Sequence, residues 1–376
     1  MIQMVSLGDI CDIKIGRTPP RKQPQWFSES HGIKWVSIKD MGNTGKYISQ
    51  TSEFLTADAI KKFNIPIIPA GTLLMSFKLT VGRLGFTEYD MCSNEAIAQL
   101  PIKDVNVADK DYLYYYLSNF NFDSLSSTSS IATAVNSKTV KNIPIDLPPF
   151  DQQKKIADIL SSLDEKIELN RRMNETLEQL GQALFRHYFI DNPEAVGWKS
   201  GTLGDIIVNF DSKRKPLSSR QRAKMQGDYR YFGATSVMDH VNDYLFDGTY
   251  LLLAEDGSVM RSDGTPYLQY VWGRFWINNH AHVIQAKYPF TVEYLYLLLA
   301  KTNVQSLVSG AVQLKINQKA MNSLVISIPP DDLVIKFCNL ANSLFAQYRE
   351  NEEQIELLVN LRDSLLPKLI SGEIEV

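Results

Sequence analysis

Two stretches of the chain set apolar residues at alternating steps of four and three. The first reads Ile156, Leu160, Leu163, Ile167, Asn170, Asn174, Leu177, Gly181, Leu184 and Tyr188. Adding 181 to each number gives the second: Phe337, Ala341, Leu344, Tyr348, Asn351, Ile355, Leu358, Arg362, Leu365 and Leu369. A 3.5-residue repeat sustained this long marks a coiled-coil seam, so the pattern predicts two long paired helices. Asn170 and Asn351 share one seam position. A buried amide there costs stability but fixes register, because only one alignment lets the amides pair. The alternative is two separate surface helices whose Asn side chains face water. Gly181 should weaken the first helix by ~1 kcal/mol relative to Ala. Pro367 should end or kink the second near Leu366. Both helices are expected to start after a Pro-Pro pair, where proline's fixed φ and missing N–H suit a first turn. Asp151 or Asp331 then lies near the positive end of the helix dipole.

The remaining segments, 1–149 and 191–330, carry strand-like apolar runs at 32–38, 72–77, 271–277 and 324–328, punctuated by Gly, Pro and Asn. Each also holds one aromatic helix, 112–117 and 294–299. The two segments repeat one another in order. Leu7-Gly8-Asp9-Ile10 returns as Leu203-Gly204-Asp205-Ile206, and Gly71-Thr72 as Gly248-Thr249, each opening an apolar run. Asn136-Ser137-Lys138, leading to Pro148-Pro149, returns as Asn317-Gln318-Lys319 leading to Pro329-Pro330. Variable spacing with unchanged order is what duplicated domains with different loops give, whereas a solenoid keeps a short strict period. The fold class expected is α+β with a pseudo-two-fold internal repeat. Residues 1–149 and 191–330 form two globular domains; residues 150–190, and 331–376 with the C-terminal tail, form two long antiparallel coiled-coil helices.

Composition narrows the class without changing this picture. The 376 residues are 44% hydrophobic and 22% charged, an ordinary globular mix. No run approaches the ~20 apolar residues of a membrane span, and no basic-then-apolar leader opens the chain. Cys11, Cys92 and Cys338 stand far apart with no CxxC. That argues against a disulfide framework or structural zinc and fits a reducing, cytoplasmic setting.

Motifs for chemistry are sparse. Asp146-Leu147-Pro148-Pro149-Phe150 looks like the acid-Pro-Pro-aromatic loop of amino-methyltransferases, but Leu147 puts the acid out of register, and no glycine-rich loop for S-adenosylmethionine accompanies it. A Pro-Pro helix start is the simpler reading. His280 and His282 could offer two imidazoles to a metal, yet no carboxylate or Cys follows at ligand spacing. Structural hydrogen bonding, or polar contact to a ligand, suits them better. Pro330-Asp331 lacks the Asp/Glu-x-Lys of a nuclease, and no phosphate-binding P-loop is present. The chain reads as one that binds rather than transforms, with no catalytic residue, metal or cofactor of its own.

The net charge of −3 hides an uneven distribution. Residues 1–149 carry 15 basic and 14 acidic side chains, and 191–330 carry 14 and 12. Residues 150–190 carry 6 and 7, and 331–376 carry 4 and 9. Lys213, Arg214, Lys215, Arg220, Arg222 and Lys224 form a run with no acid among them, and Arg17, Arg21 and Lys22 hold the equivalent place in the first copy. Two basic loops at matching sites suit phosphate contacts, and Arg can read guanine edges. Lys78, Arg83 and Arg261, in loops after the repeated Gly-Thr runs, and Lys138 and Lys319 complete the candidate DNA-binding residues. The alternative for each cluster is a solvated loop kept soluble by charge. Tyr112 to Tyr116 could stack on a flipped base, but a core-facing helix explains them better.

With these features assembled, the sequence resembles the specificity (S) subunits of type I restriction-modification enzymes. The Leu-Gly-Asp-Ile openings, 71–86, Asn94-Glu95-Ala96-Ile97, 153–189 and 365–376 carry the resemblance, which spans essentially the whole chain. Glu255-Asp256-Gly257-Ser258 and 276–283 look like a common type of target-recognition domain; the first domain departs from the pattern in lacking a Gly in its Ser-rich loop, 126–130. The resemblance implies that each globular domain reads one half of a split double-stranded DNA target. It implies that the helices are a spacer and dock two methyltransferase (modification) subunits carrying S-adenosylmethionine, while restriction subunits carry ATP hydrolysis and cleavage. From Ile156 to Tyr188 are 33 residues, about 50 Å of helix at ~1.5 Å per residue, enough to hold two readers roughly one DNA turn apart. Two other classes stay open: a self-sufficient methyltransferase or nuclease with unfamiliar motifs, and a coiled-coil adaptor that binds only protein.

Overall fold

The repeated Leu-Gly-Asp-Ile motif has a local cause. In the computed structural model, which describes residues 3–42, 45–125, 136–310 and 313–376, it forms the one-turn helices Leu7–Ile10 and Leu203–Ile206. The Asp9 carboxylate accepts from the Ser6 N–H at 2.9 Å and the Ser6 hydroxyl at 2.6 Å. Asp205 does the same for Thr202 at 2.7 and 2.8 Å. The carboxylate thereby satisfies an N-terminal donor and complements the helix dipole. Leu7, Ile10, Leu203 and Ile206 are buried. A Cβ on Gly8 would lie 3.1 Å from the Lys141 carbonyl, and one on Gly204 3.1 Å from Asn322, so glycine eases the close approach of the short helices Ser137–Lys141 and Gln318–Asn322.

The chain divides into two units, residues 1–171 with 353–376, and residues 172–352. The first holds a five-stranded sheet in the order Lys14–Ile15, Ile97–Gln99, Leu73–Ser76, Leu84–Thr87, Tyr47–Ile48. A four-stranded sheet runs Phe27–Ser28, Glu53–Leu55, Ile33–Val36, Cys92–Ser93, its last pair parallel, and Gln3–Ser6 pairs with Pro144–Leu147. Helix Lys110–Ser118 buries Tyr112, Leu113, Tyr115 and Leu117 in a core with Leu73, Met75 and Phe86. Ile156 and Leu160 of helix Phe150–Phe185 and Leu369 of helix Asp331–Ile370 close the same core. Tyr115 therefore faces the helices; its hydroxyl donates to Asp164 at 2.6 Å, and Arg362 donates to the other Asp164 oxygen at 2.7 Å.

The second unit repeats this order. Its central sheet runs Ile207–Asn209, Ala281–Ala286, Tyr250–Ala254, Leu268–Val271. The other runs Val237–Val241, Tyr229–Phe232, Arg274–Ile277, Phe246–Asp247, again with one parallel pair, and Lys199–Thr202 pairs with Val325–Ile328. Helix Val292–Leu299 packs with Phe185, Phe189, Phe337 and Phe345. The fold is α+β and internally duplicated. In each unit opposite halves of the two long helices meet, so the helices pair antiparallel. Among the described residues no helix is long and apolar enough to cross a membrane.

Strands stand within the expected runs 32–38, 72–77 and 324–328. The run 271–277 is instead split between two sheets, because the chain turns at Trp272 and Gly273 and crosses from one to the other. Pro367 does not end its helix, which continues to Ile370. Burial of Leu369 and packing of Leu365, Leu366 and Ile370 on the core offset the missing hydrogen bond. Gly181 is buried in the first helix, and a Cβ there would come within 3.2 Å of Leu297. The glycine admits the aromatic helix at the expense of helix propensity. Of the seam positions, Ile156, Leu160, Ile167, Asn170, Phe337, Asn351 and Ile355 are buried, while Leu163, Leu177, Leu184, Leu344, Tyr348, Leu358 and Leu365 are half-buried. Asn351 donates to Asn174 at 2.8 Å, and Asn170 to Gln354 at 3.2 Å. The antiparallel offset decides this: the asparagine that faces Asn351 lies one turn beyond Asn170. The Ser-rich loop 126–130 lies outside the described residues.

Candidate nucleic-acid interface

Strand register brings most of the candidate cations to one end of each central sheet. In the first unit Ser76 faces Ile97 and Ala98 faces Ile15, so the chain leaves the sheet after Ile15 and Ser76 where it enters at Ile97. Phe77 N–H donates to the Ala96 carbonyl at 2.9 Å and Arg17 N–H to the Ser93 carbonyl at 2.8 Å, tying these loops together. That end carries Arg17, the 77–83 hairpin with Lys78 and Arg83, and the start of the loop with Arg21 and Lys22. In the second unit Ala254 faces Ala281, Leu253 faces Leu268, and Asn209 faces Ile284. The matching end carries the loop opening with Lys213, Arg214 and Lys215, the 255–267 loop with Arg261, and the 278–280 turn. Lys138 and Lys319 are not brought there. They sit on Ser137–Lys141 and Gln318–Asn322, against the one-turn helices that meet the opposite ends of the strands.

Most arginines of these loops are engaged by the protein itself. Arg17 donates to the Phe63 and Asn64 carbonyls, and Arg21 pairs with Glu53 at 2.7 Å while lying over Phe27 and Trp35. Arg83 donates to the Ile38 carbonyl at 2.8 Å, and Arg261 to that of Pro266 at 2.7 Å. Arg222 pairs with Asp239 at 2.9 Å, donates to the Leu217 carbonyl and covers Tyr231. Each guanidinium has five N–H donors, so this leaves the exposed ones with donors to spare. Lys22, Lys78, Lys213, Lys215, Arg220 and Lys224 are exposed.

Arg214 is different. Its side chain is 13% exposed and pairs with Glu255 at 2.7 Å and Asp211 at 3.5 Å, and it donates to the Ala281 carbonyl at 2.8 Å. Within the basic run it is an anchor for the loop rather than a free cation. His282, 1% exposed, completes the cluster: Nδ1 lies 2.6 Å from Asp211 Oδ2 and Nε2 2.8 Å from the Ile316 carbonyl. The two contacts fix the ring between the Asp211 carboxylate and the loop carbonyl. Burial pushes the Asp211 and Glu255 carboxyls up, but hydrogen bonds from His282 to the one and from Arg214 and Lys315 to the other hold both below the ordinary range. Asp211, Glu255 and His282 place donor atoms within 4.8 Å of one another. A cation there would have to displace Arg214, which already pairs with Glu255 and Asp211. His280, outside the strand, bonds Asp256 at 2.7 Å. The pair at 280 and 282 thus supports two loops. Similarly, Pro148-Pro149 serves as a helix start: buried Gln153 donates to the Pro148 and Val107 carbonyls and accepts from Asp109 N–H.

Sequence reasoning passed over Asp211, Glu255 and His282 as one cluster, because 71 residues separate the ends. Leu79, within the 77–83 loop that the sequence offers for base contact, stands exposed at the tip of that hairpin.

Residues 2–179 and 195–333 match the type I restriction modification DNA specificity domain. The type I restriction enzyme MjaIX specificity subunit of Methanocaldococcus jannaschii is 26% identical across 98% of this chain and 93% of its own length. The HindI specificity subunit of Haemophilus influenzae is 42% identical over 65 residues, 17% of this chain and 14% of that one. Among solved structures, the S subunit of a type I restriction-modification system from M. genitalium superposes with a TM-score of 0.63 at 16% identity, covering 98% of this chain and 96% of that one. With two copies of the domain spanning most of its length, the chain belongs to the family of type I restriction-modification specificity subunits.

Proposed function

We propose that the protein is the non-catalytic DNA reader and assembly scaffold of a type I restriction-modification complex. Residues 1–149 and 191–330 each read one half of a bipartite target, and residues 150–190 and 331–376 form the spacer on which two methyltransferase subunits dock, with restriction subunits joining them. The observation that carries this reading is the matching placement of basic loops at one end of each central sheet. Exposed lysines there suit phosphates, and partly engaged, stiffened arginines suit base edges. Because the two domains differ in sequence, the target is asymmetric. Methylation chemistry then belongs to the partner subunits, so the purified chain should not bind S-adenosylmethionine. Replacing residues 1–149 by those of a relative and sequencing the host methylome tests the reading. One half of the methylated sequence should change and the other persist; an unchanged sequence overturns the proposal.

A further inference from the structure

Leu79 combines two features that are unfavourable in the free protein. Its side chain is 95% exposed, and its backbone sits at φ 63, in the left-handed region that leucine rarely adopts. A single exposed leucine is ordinary; one held out by a locked, strained turn is not. The lock is visible. The buried Ser76 hydroxyl donates to the Thr80 carbonyl and accepts from Arg83 N–H at 3.0 Å, and Gly82 N–H donates to the Ser76 carbonyl at 2.9 Å. Below the tip, Phe77 is buried and Arg83 is tied to Ile38. Only residues 78–80 project, with Lys78 beside the leucine, at the sheet end that carries Arg17 and Arg83.

We propose that Leu79 is an apolar wedge that enters a base step in the half-site read by residues 1–149. The inference rests on the DNA-reading function proposed above. An apolar side chain inserted between bases recovers burial that water denies it, and the unstacking it causes is offset by contacts the bent duplex then makes. A rigid tip avoids ordering a loop on binding. Lys78 and Arg83 would meet the phosphates beside the opened step. Pyrimidine–purine steps unstack most easily, so the wedge favours one of these. Leu79 thereby contributes to specificity at a step it need not read by hydrogen bonds.

The test uses the full chain assembled with its methyltransferase subunits, on a duplex carrying the sequence methylated in the host. 2-Aminopurine replaces in turn each adenine of that half-site other than the methylated one. The wild type should give a fluorescence rise at one step. Leu79→Ala should abolish it and weaken binding about tenfold, whereas Leu79→Met keeps both. Leu79→Gly, which suits the left-handed backbone, should weaken binding yet raise the unfolding temperature, the reverse of what a structural role gives. Unchanged fluorescence and affinity in Leu79→Ala overturn the wedge. So does a loss that thymine-to-uracil replacement reproduces without any fluorescence change, which would mark a groove contact with a thymine methyl. A wild-type complex with no defined target would instead defeat the DNA-reading function itself.

Discussion

Arg214 lies in a run of six cations, yet its neighbours, not its sequence context, set its role. With Asp211, Glu255 and His282 it forms a buried ionic cluster that fastens the start of the basic loop to the central sheet. Arg214→Ala leaves the half-buried Glu255 without its shortest ion pair and the Ala281 carbonyl without its donor, and should destabilise the second unit by about 1–3 kcal/mol in urea unfolding. Arg220→Ala, exposed on the same loop, should change stability by no more than about 0.5 kcal/mol. The cluster also gives a pH dependence. Asp211 and Glu255 titrate lower folded than unfolded, so their stabilisation is complete above the unfolded carboxylate range and lost as pH falls from about 4 through the folded values. Asp211→Asn should flatten that acid limb in thermal melts taken between pH 5 and pH 2. Nothing local marks these residues: the cluster joins positions 211, 214, 255, 282 and 315, and only the sheet brings them together.

At the scale of elements, periodicity was the most legible signal. The two helices, their seam and the aromatic helices follow from spacing because each buries one face, and the strands at 33–36 and 73–76 follow from apolar runs. What spacing could not supply was partner geometry. Equivalent positions in two antiparallel helices do not face one another, so Asn351 meets Asn174 and not Asn170. Helix ends were equally opaque, since core contacts near Leu369 carry the helix past Pro367. The asparagine pair is testable. Asn351→Leu leaves the Asn174 oxygen without its donor and should cost about 1–3 kcal/mol. The double change Asn174→Leu with Asn351→Leu should recover most of that loss, and a double-mutant cycle on urea midpoints measures the difference. Complete additivity would mean the two amides are not coupled.

For the whole molecule, charge is divided between segments. Segments 1–149 and 191–330 are weakly basic and the helices with the tail are acidic, so on the proposed function the isolated chain should bind duplex DNA weakly and gain affinity when its partner subunits add their own contacts. Arg220→Ala with Lys224→Ala should shallow the dependence of log affinity on log salt by up to about 2, at ~0.9 for each phosphate no longer neutralised. An unaltered slope would reduce the run to a solubility patch. Arg222 is unsuited to this test because removing it also breaks the Asp239 pair.

The first unit draws on both ends of the chain, since Leu369, Leu365, Ile374 and Val376 close a core begun by Leu7 and Ile10. The second is one uninterrupted stretch, 172–352. During synthesis the later-made unit is therefore the first able to finish. Until Leu365 and Leu369 are made, the earlier unit lacks residues that close its core with Ile156 and Leu160, and chaperone binding or capture by a partner has its opening there.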